Sequence, residues 1–152
     1  MGWLDPLHGQ LVGMDTAPLI YYMERHPQYF ATVQPFFHAL DQGLLLGVTS
    51  IVTLTEVLVH PFRLGNHHLA QRYRHILLRA PHLTTFSITP TIAEEAARAR
   101  ASYNLRTPDA LQLATVRSAG ARFFLTNDSR FATIPGVTVL DVDTLVATGA
   151  QP

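Results

Sequence analysis

Asp15, Glu56, Asp109 and Asp128 lie far apart in the chain, yet each falls where a strand should end or a helix begin. Asp15 closes the apolar run Leu11-Val12-Gly13-Met14, and Asp128 follows Phe123-Phe124-Leu125-Thr126-Asn127. Glu56 sits in the first turns of a helix after a second apolar run, and Asp109 follows Thr107-Pro108. Carboxylates gathered at one edge repel one another and raise each other's pKa unless a cation intervenes. All-oxygen sites of this kind suit Mg²⁺ or Mn²⁺. Such ions acidify a bound water and clamp the attacking and leaving oxygens of a phosphodiester. The chain has no cysteine, and no ready nucleophile stands beside these acids. Metal-activated water is the simplest chemistry they offer.

The elements that must position them alternate along the chain. A helix is expected from Ala17 through Arg25, broken at His26-Pro27 because the residue before proline disfavours helix. A second runs from Pro27 to about Asp41, with Phe30, Val33, Phe36, Phe37 and Leu40 at helical spacing. Leu44 to Ile51 reads as a buried strand, and Thr53 to His60 as a short helix closed by Pro61. Asn66 to Arg79 is amphipathic, with Leu69, Tyr73, Ile76 and Leu77 on one stripe. Leu83 to Ile88 is a strand, and Thr91 to Glu94 has the spacing of a capping box opening a helix to about Tyr103. Thr107 caps the next helix, Pro108 suits its first turn, Asp109 faces the positive end of its dipole, and it ends near Gly120. Arg122 to Thr126 and Val137 to Leu140 are strands, and Val142 to Ala147 is a last short helix. Strands separated by helices predict a three-layer α/β/α domain with a parallel sheet of four to five strands. Ligands then sit beyond the carboxyl ends of the strands, where the acids fall.

Each residue also has a plainer reading. Asp109 alone could simply match the helix dipole, and Asp128 could be an ordinary turn residue. Asp15 after a buried run, and Glu56 within Thr53 to Val59, are harder to excuse, since a carboxylate among apolar residues needs a partner or a metal. Arg106 and Arg130, close to Asp109 and Asp128, are candidates for holding phosphate, or else ordinary surface arginines. His60, His67, His68, His75 and His82 could suggest zinc. Only His68 and His75 share a helix face, with no acid between, so a solvated helix is the better reading. Phe36, Phe37, Tyr73, Phe123 and Phe124 read as core or interface residues.

Composition bounds the rest. The 152 residues suit one domain, taken as residues 1–147 with a frayed tail from Thr148 to Pro152. Hydrophobic residues make up 47% and charged residues 14%, enough for a sizeable core. All eleven basic residues are arginines, which removes the lysine of a P-loop, a Schiff-base enzyme or a phosphoryl-receiver site. Net charge is zero, so any nucleic acid must be held locally rather than by a general basic field. The N-terminus lacks a signal peptide's pattern. The segment Leu44 to Val59 is too short and polar to cross a membrane. The expectation is a soluble cytoplasmic protein.

Three stretches, Leu11 to Ile20, Thr49 to Pro61 and Asn104 to Phe131, resemble the PIN-domain ribonucleases, especially VapC-like toxins of type II toxin–antitoxin pairs. Order, spacing and strand–helix placement agree across about residues 11 to 141. The resemblance implies a metal site at Asp15, Glu56, Asp109 and Asp128, support from Thr16 and Thr126, and RNA cleavage by metal-activated water. It also implies a homodimer and a cognate antitoxin. Ala17 departs from the pattern, since relatives often carry Ser or Asn there. A non-catalytic PIN-fold module that binds RNA or regulates is the alternative. Val137 to Val146 is similar to the Asp-x-Asp opening of haloacid-dehalogenase phosphatases, but only eleven residues follow Asp141 and there is no lysine. Asp141 and Asp143 are therefore read as strand-end and helix-cap residues, with Asp143 a weak influence on the site.

Overall fold

Short continuous apolar runs mark the strands, as expected where a parallel sheet is covered on both faces. In β1 (Leu11–Met14), Val12 and Met14 are fully buried toward one helix layer, while Gly13 abuts the opposite layer. The computed structural model, which describes residues 1–152, adds β2 (Leu46–Ser50), β3 (Leu83–Phe86), β4 (Phe123–Thr126) and β5 (Thr138–Asp141). The five strands form one sheet in the order β3-β2-β1-β4-β5, every pair parallel.

Seven helices connect and cover them: α1 (Thr16–Met23), α2 (Phe30–Asp41), α3 (Ile51–Leu64), α4 (His67–Arg79), α5 (Pro90–Tyr103), α6 (Thr107–Ser118) and α7 (Val142–Ala147). Val12, Met14 and Leu125 share a core with Leu19, Phe36, Phe37, Tyr73 and Leu77. Val48 and Phe124 share another with Ile92, Ala96, Ala110, Leu113 and Val116. A core on each sheet face makes the expected α/β/α sandwich.

Strand order locates the switch point of the sheet. The chain lays β2 and β3 on one side of β1, then crosses to lay β4 and β5 on the other. Consecutive loops therefore diverge above β1 and β4, the switch point where ligands bind in such sheets. Met14 stands opposite Leu125, and Asp15 N donates to Leu125 O at 2.9 Å. The residues that follow these strands are thereby held side by side at the carboxyl edge.

Several expected boundaries move. α1 begins at Thr16 because Asp15 itself caps it, and α2 begins at Phe30, with Pro27 to Tyr29 in a turn. Pro61 does not close α3. It lies buried inside the helix, which runs on to Leu64 and ends where Gly65 takes φ 63°. Asn66 N donates to Pro61 O and Gly65 N to Phe62 O, the Schellman pattern that only a left-handed residue permits. The cap of α5 is Thr89, whose hydroxyl accepts from Ile92 N at 3.2 Å, rather than Thr91. Proline at the next position sets that start two residues earlier. Thr107 is already helical, with Arg106 at the cap position, and its hydroxyl instead accepts from Arg100. The C-terminal residues are tied back, since Trp3 N donates to Gln151 O at 2.9 Å.

At Gly13 the helix α6 packs tightly on the sheet. A Cβ there would stand 2.6 Å from both Val116 methyls and 3.0 Å from the Phe124 ring. Gly13→Ala should cost about 1–3 kcal/mol in urea unfolding, the usual cost of overpacking. In a Val116→Ala background the same change should cost much less. Equal costs in both backgrounds would mean that the approach of α6 does not constrain the sheet.

Candidate active site

Asp15 is positioned by two elements at once. As the cap of α1, its Oδ1 accepts from Thr16 N at 2.9 Å. Its Oδ2 accepts from the Thr126 hydroxyl at 2.8 Å, and the same hydroxyl accepts from Asp128 N at 3.0 Å. Thr126 is fully buried at the end of β4. One hydroxyl thus fastens the tips of the two strands flanking the switch point. Burial raises the Asp15 carboxyl to about 6, against the lowering effect of the Thr126 and Thr16 hydrogen bonds. The negative charges of Asp109 and Glu56 push it further in the same direction. No cationic side chain lies within ion-pair range of it.

Glu56 is not embedded among the apolar residues that flank it in sequence. It lies on the exposed side of α3, while Thr53 and Val57 turn inward. Helical geometry separates neighbours that look contiguous in a linear reading. Its partner is Thr16, whose hydroxyl donates to Oε1 at 2.8 Å. Behind this pair runs a buried polar chain that sequence reasoning did not identify. The Gln112 amide donates to Thr53 Oγ1 at 2.8 Å, and Thr53 meets Thr16 at 3.2 Å. Because the Thr16 proton is committed to Glu56, Thr53 must donate to Thr16 for that link to form. Gln112 also accepts from Ser50 N at 2.8 Å, fixing the tip of β2. The available signal was a glutamine amid the buried apolar face of α6, where an unpaired amide would be costly.

Asp109 and Asp128 meet through arginine. Asp109 is buried in the first turn of α6 and Asp128 caps the 3₁₀ turn Ser129–Phe131. Arg130 Nη2 lies 2.9 Å from Asp109 Oδ2 and 2.5 Å from Asp128 Oδ2. Arg130 Nε reaches both Asp128 oxygens at 3.0 Å. Arg106 Nε adds a contact to Asp109 Oδ2 at 3.1 Å. Hydrogen bonding to Arg130 lowers the Asp128 pKa against a smaller effect of burial. The two arginines expected to face phosphate therefore turn inward onto the acids. The four carboxylates share one edge, but no three acidic or histidine side chains stand close enough to form a ready metal cage.

Other candidates resolve simply. Asp141 caps α7, accepting from Asp143 N at 3.3 Å and Thr144 Oγ1 at 2.9 Å. Asp143 accepts from the Tyr29 hydroxyl at 2.5 Å. Tyr73, Phe36 and Phe124 are buried core residues, whereas Phe123 is only partly buried. A cleft of about 960 Å³ lies between α2 and α4 and contains His68, His75 and His82. None of the four acids lines it, so volume does not mark the chemistry here.

A family model of the PIN domain matches residues 14–137. The chain belongs to the PIN domain family. Among solved structures, it is similar to a toxin–antitoxin complex from Klebsiella pneumoniae at 26% identity and a TM-score of 0.65, covering 86% of this chain and 97% of that one. It is also similar to VapC20 of Mycobacterium tuberculosis, described as a sarcin–ricin loop cleaving toxin, at 17% identity and a TM-score of 0.69, covering 83% and 96%. VapBC2 from Rickettsia felis, bound to a DNA fragment from its promoter, matches at 15% and a TM-score of 0.67, covering 87% and 98%. The last two likenesses concern the fold alone. No curated protein matches the chain in sequence. The edge bearing Asp15 is thus the carboxyl edge of a PIN sheet, and no helix is long and apolar enough to cross a membrane.

The desolvated, partly buried Asp15 of this PIN domain should register in its stability. A carboxyl at about 6 in the folded chain and near 3.8 in the unfolded chain is protonated more readily when folded. Its stabilising contribution is present below the unfolded value and is lost as pH rises through the folded one. Without metal, that loss is on the order of 2–3 kcal/mol between pH 4 and pH 8. Asp15→Asn should flatten this part of the pH profile and melt higher than the unsubstituted protein at pH 8 in chelator. A variant that melts lower at pH 8 and matches at pH 4 would contradict the sign.

Proposed function

We propose that the protein is a divalent-metal-dependent endoribonuclease, the toxin of a toxin–antitoxin pair acting in the cytoplasm. The observation that carries this reading is Asp15: a desolvated carboxyl, unpaired with any cation, held by Thr126 and Thr16 at the switch point of the sheet. Structural order here serves a group whose ionised form costs stability, the pattern expected of functional sites.

The donor set fits Mg²⁺ or Mn²⁺, being carboxylate oxygens only, with Asp109 and Glu56 already acting electrostatically on Asp15. Asp15, Glu56, Asp109 and Asp128 would hold the ion, directly or through water. When bound, it would acidify water and offset charge on the phosphodiester oxygens. Thr126 holds Asp15 at the switch point, and Thr16 orients Glu56 by fixing Oε1. Glu56 Oε2, which accepts no hydrogen bond from the protein, is placed to take a proton from an attacking water. Arg106, whose side chain is 69% exposed, can turn outward to an RNA phosphate.

Partners follow from the same reading. The likeness to toxin–antitoxin complexes supports a cognate antitoxin, and exposed Val59, Phe62, Leu64 and Leu78 on α3 and α4 offer apolar surface for it or for a homodimer. The pairing of Arg106 and Arg130 with Asp109 and Asp128 favours a second reading, an RNA-binding PIN module without catalysis.

An RNA-cleavage assay with Mn²⁺ or Mg²⁺ separates them. Cleavage should appear with metal, vanish in chelator, and fall by at least about a hundredfold in Asp15→Asn, beyond the usual loss on removing an outer-shell partner. Thr126→Val should lose roughly 10- to 100-fold. Metal-independent RNA retention in a gel shift, with no cleavage and no effect of Asp15→Asn, would establish the second reading instead.

A further inference from the structure

We propose that Arg130 is a built-in placeholder for the metal, its guanidinium occupying the cation position between Asp109 and Asp128 until a divalent ion displaces it. This rests on the metal-site reading above and concerns how the chain manages that site without its ion.

The geometry is specific to Arg130. Its Nη2 bridges Asp109 Oδ2 and Asp128 Oδ2, while its Nε engages both oxygens of Asp128. Every Asp128 carboxylate oxygen, and one oxygen of Asp109, is thus occupied by a donor with no acceptor capacity. A hard cation needs those same lone pairs, so the two occupants exclude each other. Arg106 does not substitute, because it touches Asp109 alone. Asp15 and Glu56 hold no arginine, so the site is closed on one flank and open on the other.

The same side chain can leave. It is 44% exposed, whereas the backbone beneath it is pinned by buried Phe131 in the 3₁₀ turn. Displacement therefore needs only side-chain rotation, not movement of the turn. Once released, the guanidinium stands beside the metal edge, free to meet a phosphate. The expected phosphate ligand thus becomes the second position of a group first held on the acids. The price is apparent metal affinity, which falls in proportion to the fraction of molecules in the open arrangement.

Titration calorimetry of the metal-free full chain with Mn²⁺ tests this. Arg130→Gln should bind roughly tenfold tighter than the unsubstituted protein, with Arg130→Lys between them because it keeps charge without the fork. In the unsubstituted protein, Mg²⁺ should shift the Arg130 Nε–Hε resonance toward that of a free guanidinium. Equal or weaker Mn²⁺ binding by Arg130→Gln, while Asp15→Asn abolishes binding, would overturn the placeholder and leave the metal site standing. Failure of both the unsubstituted protein and Arg130→Gln to bind Mn²⁺ would overturn the metal reading and the placeholder with it.

Discussion

The Thr126 hydroxyl donates to Asp15 and accepts from Asp128 N, joining the ends of two strands that are distant in sequence and adjacent in space. A buried hydroxyl can do both only if it is held between a fixed acceptor and a fixed donor. The parallel register of β1 with β4 supplies that fixity, and Asp15 in turn caps the helix that leaves β1. Removing the register would separate the acids, and removing the hydroxyl would leave a desolvated carboxyl with one fewer donor. The rest of the edge is arranged around this latch.

Around it the molecule solves one electrostatic problem in two ways. Asp15 is desolvated and lacks a cation, so its carboxyl is pushed up toward neutrality. Asp128, beside Arg130, is pushed down and stays ionised. Carboxylates on a single edge are thus shifted in opposite directions by environment alone. A divalent ion would resolve both conditions together, balancing the charge of the first and replacing arginine at the second.

Glu56 depends on a subtler support. Its orientation passes through Thr16 and Thr53 to Gln112, so α1, α3 and α6 are joined by hydrogen bonds beneath the surface. Polar chains of this kind are costly when incomplete and rigidifying when complete. Here the amide and the hydroxyls find partners, and the α3 helix is set against the edge with its acid facing solvent.

Much was legible in sequence because short-range chemistry determines it. Short apolar runs mark the strands, proline and small polar residues mark helix starts, and the positions of Asp15, Asp109 and Asp128 after strands or in a first helical turn follow from those marks. Boundaries moved where a cap or tertiary packing overrode local signals, as at Thr89 and at Pro61, which stays inside α3. Only the folded chain decided strand order, and with it the switch point between β1 and β4, because pairing partners depend on contacts across more than a hundred residues. It alone showed that Glu56 faces outward, that Gln112 underlies it, and that Arg130 faces inward onto the acids. A side chain's direction follows from what packs beneath its backbone, and residue type and spacing do not contain that.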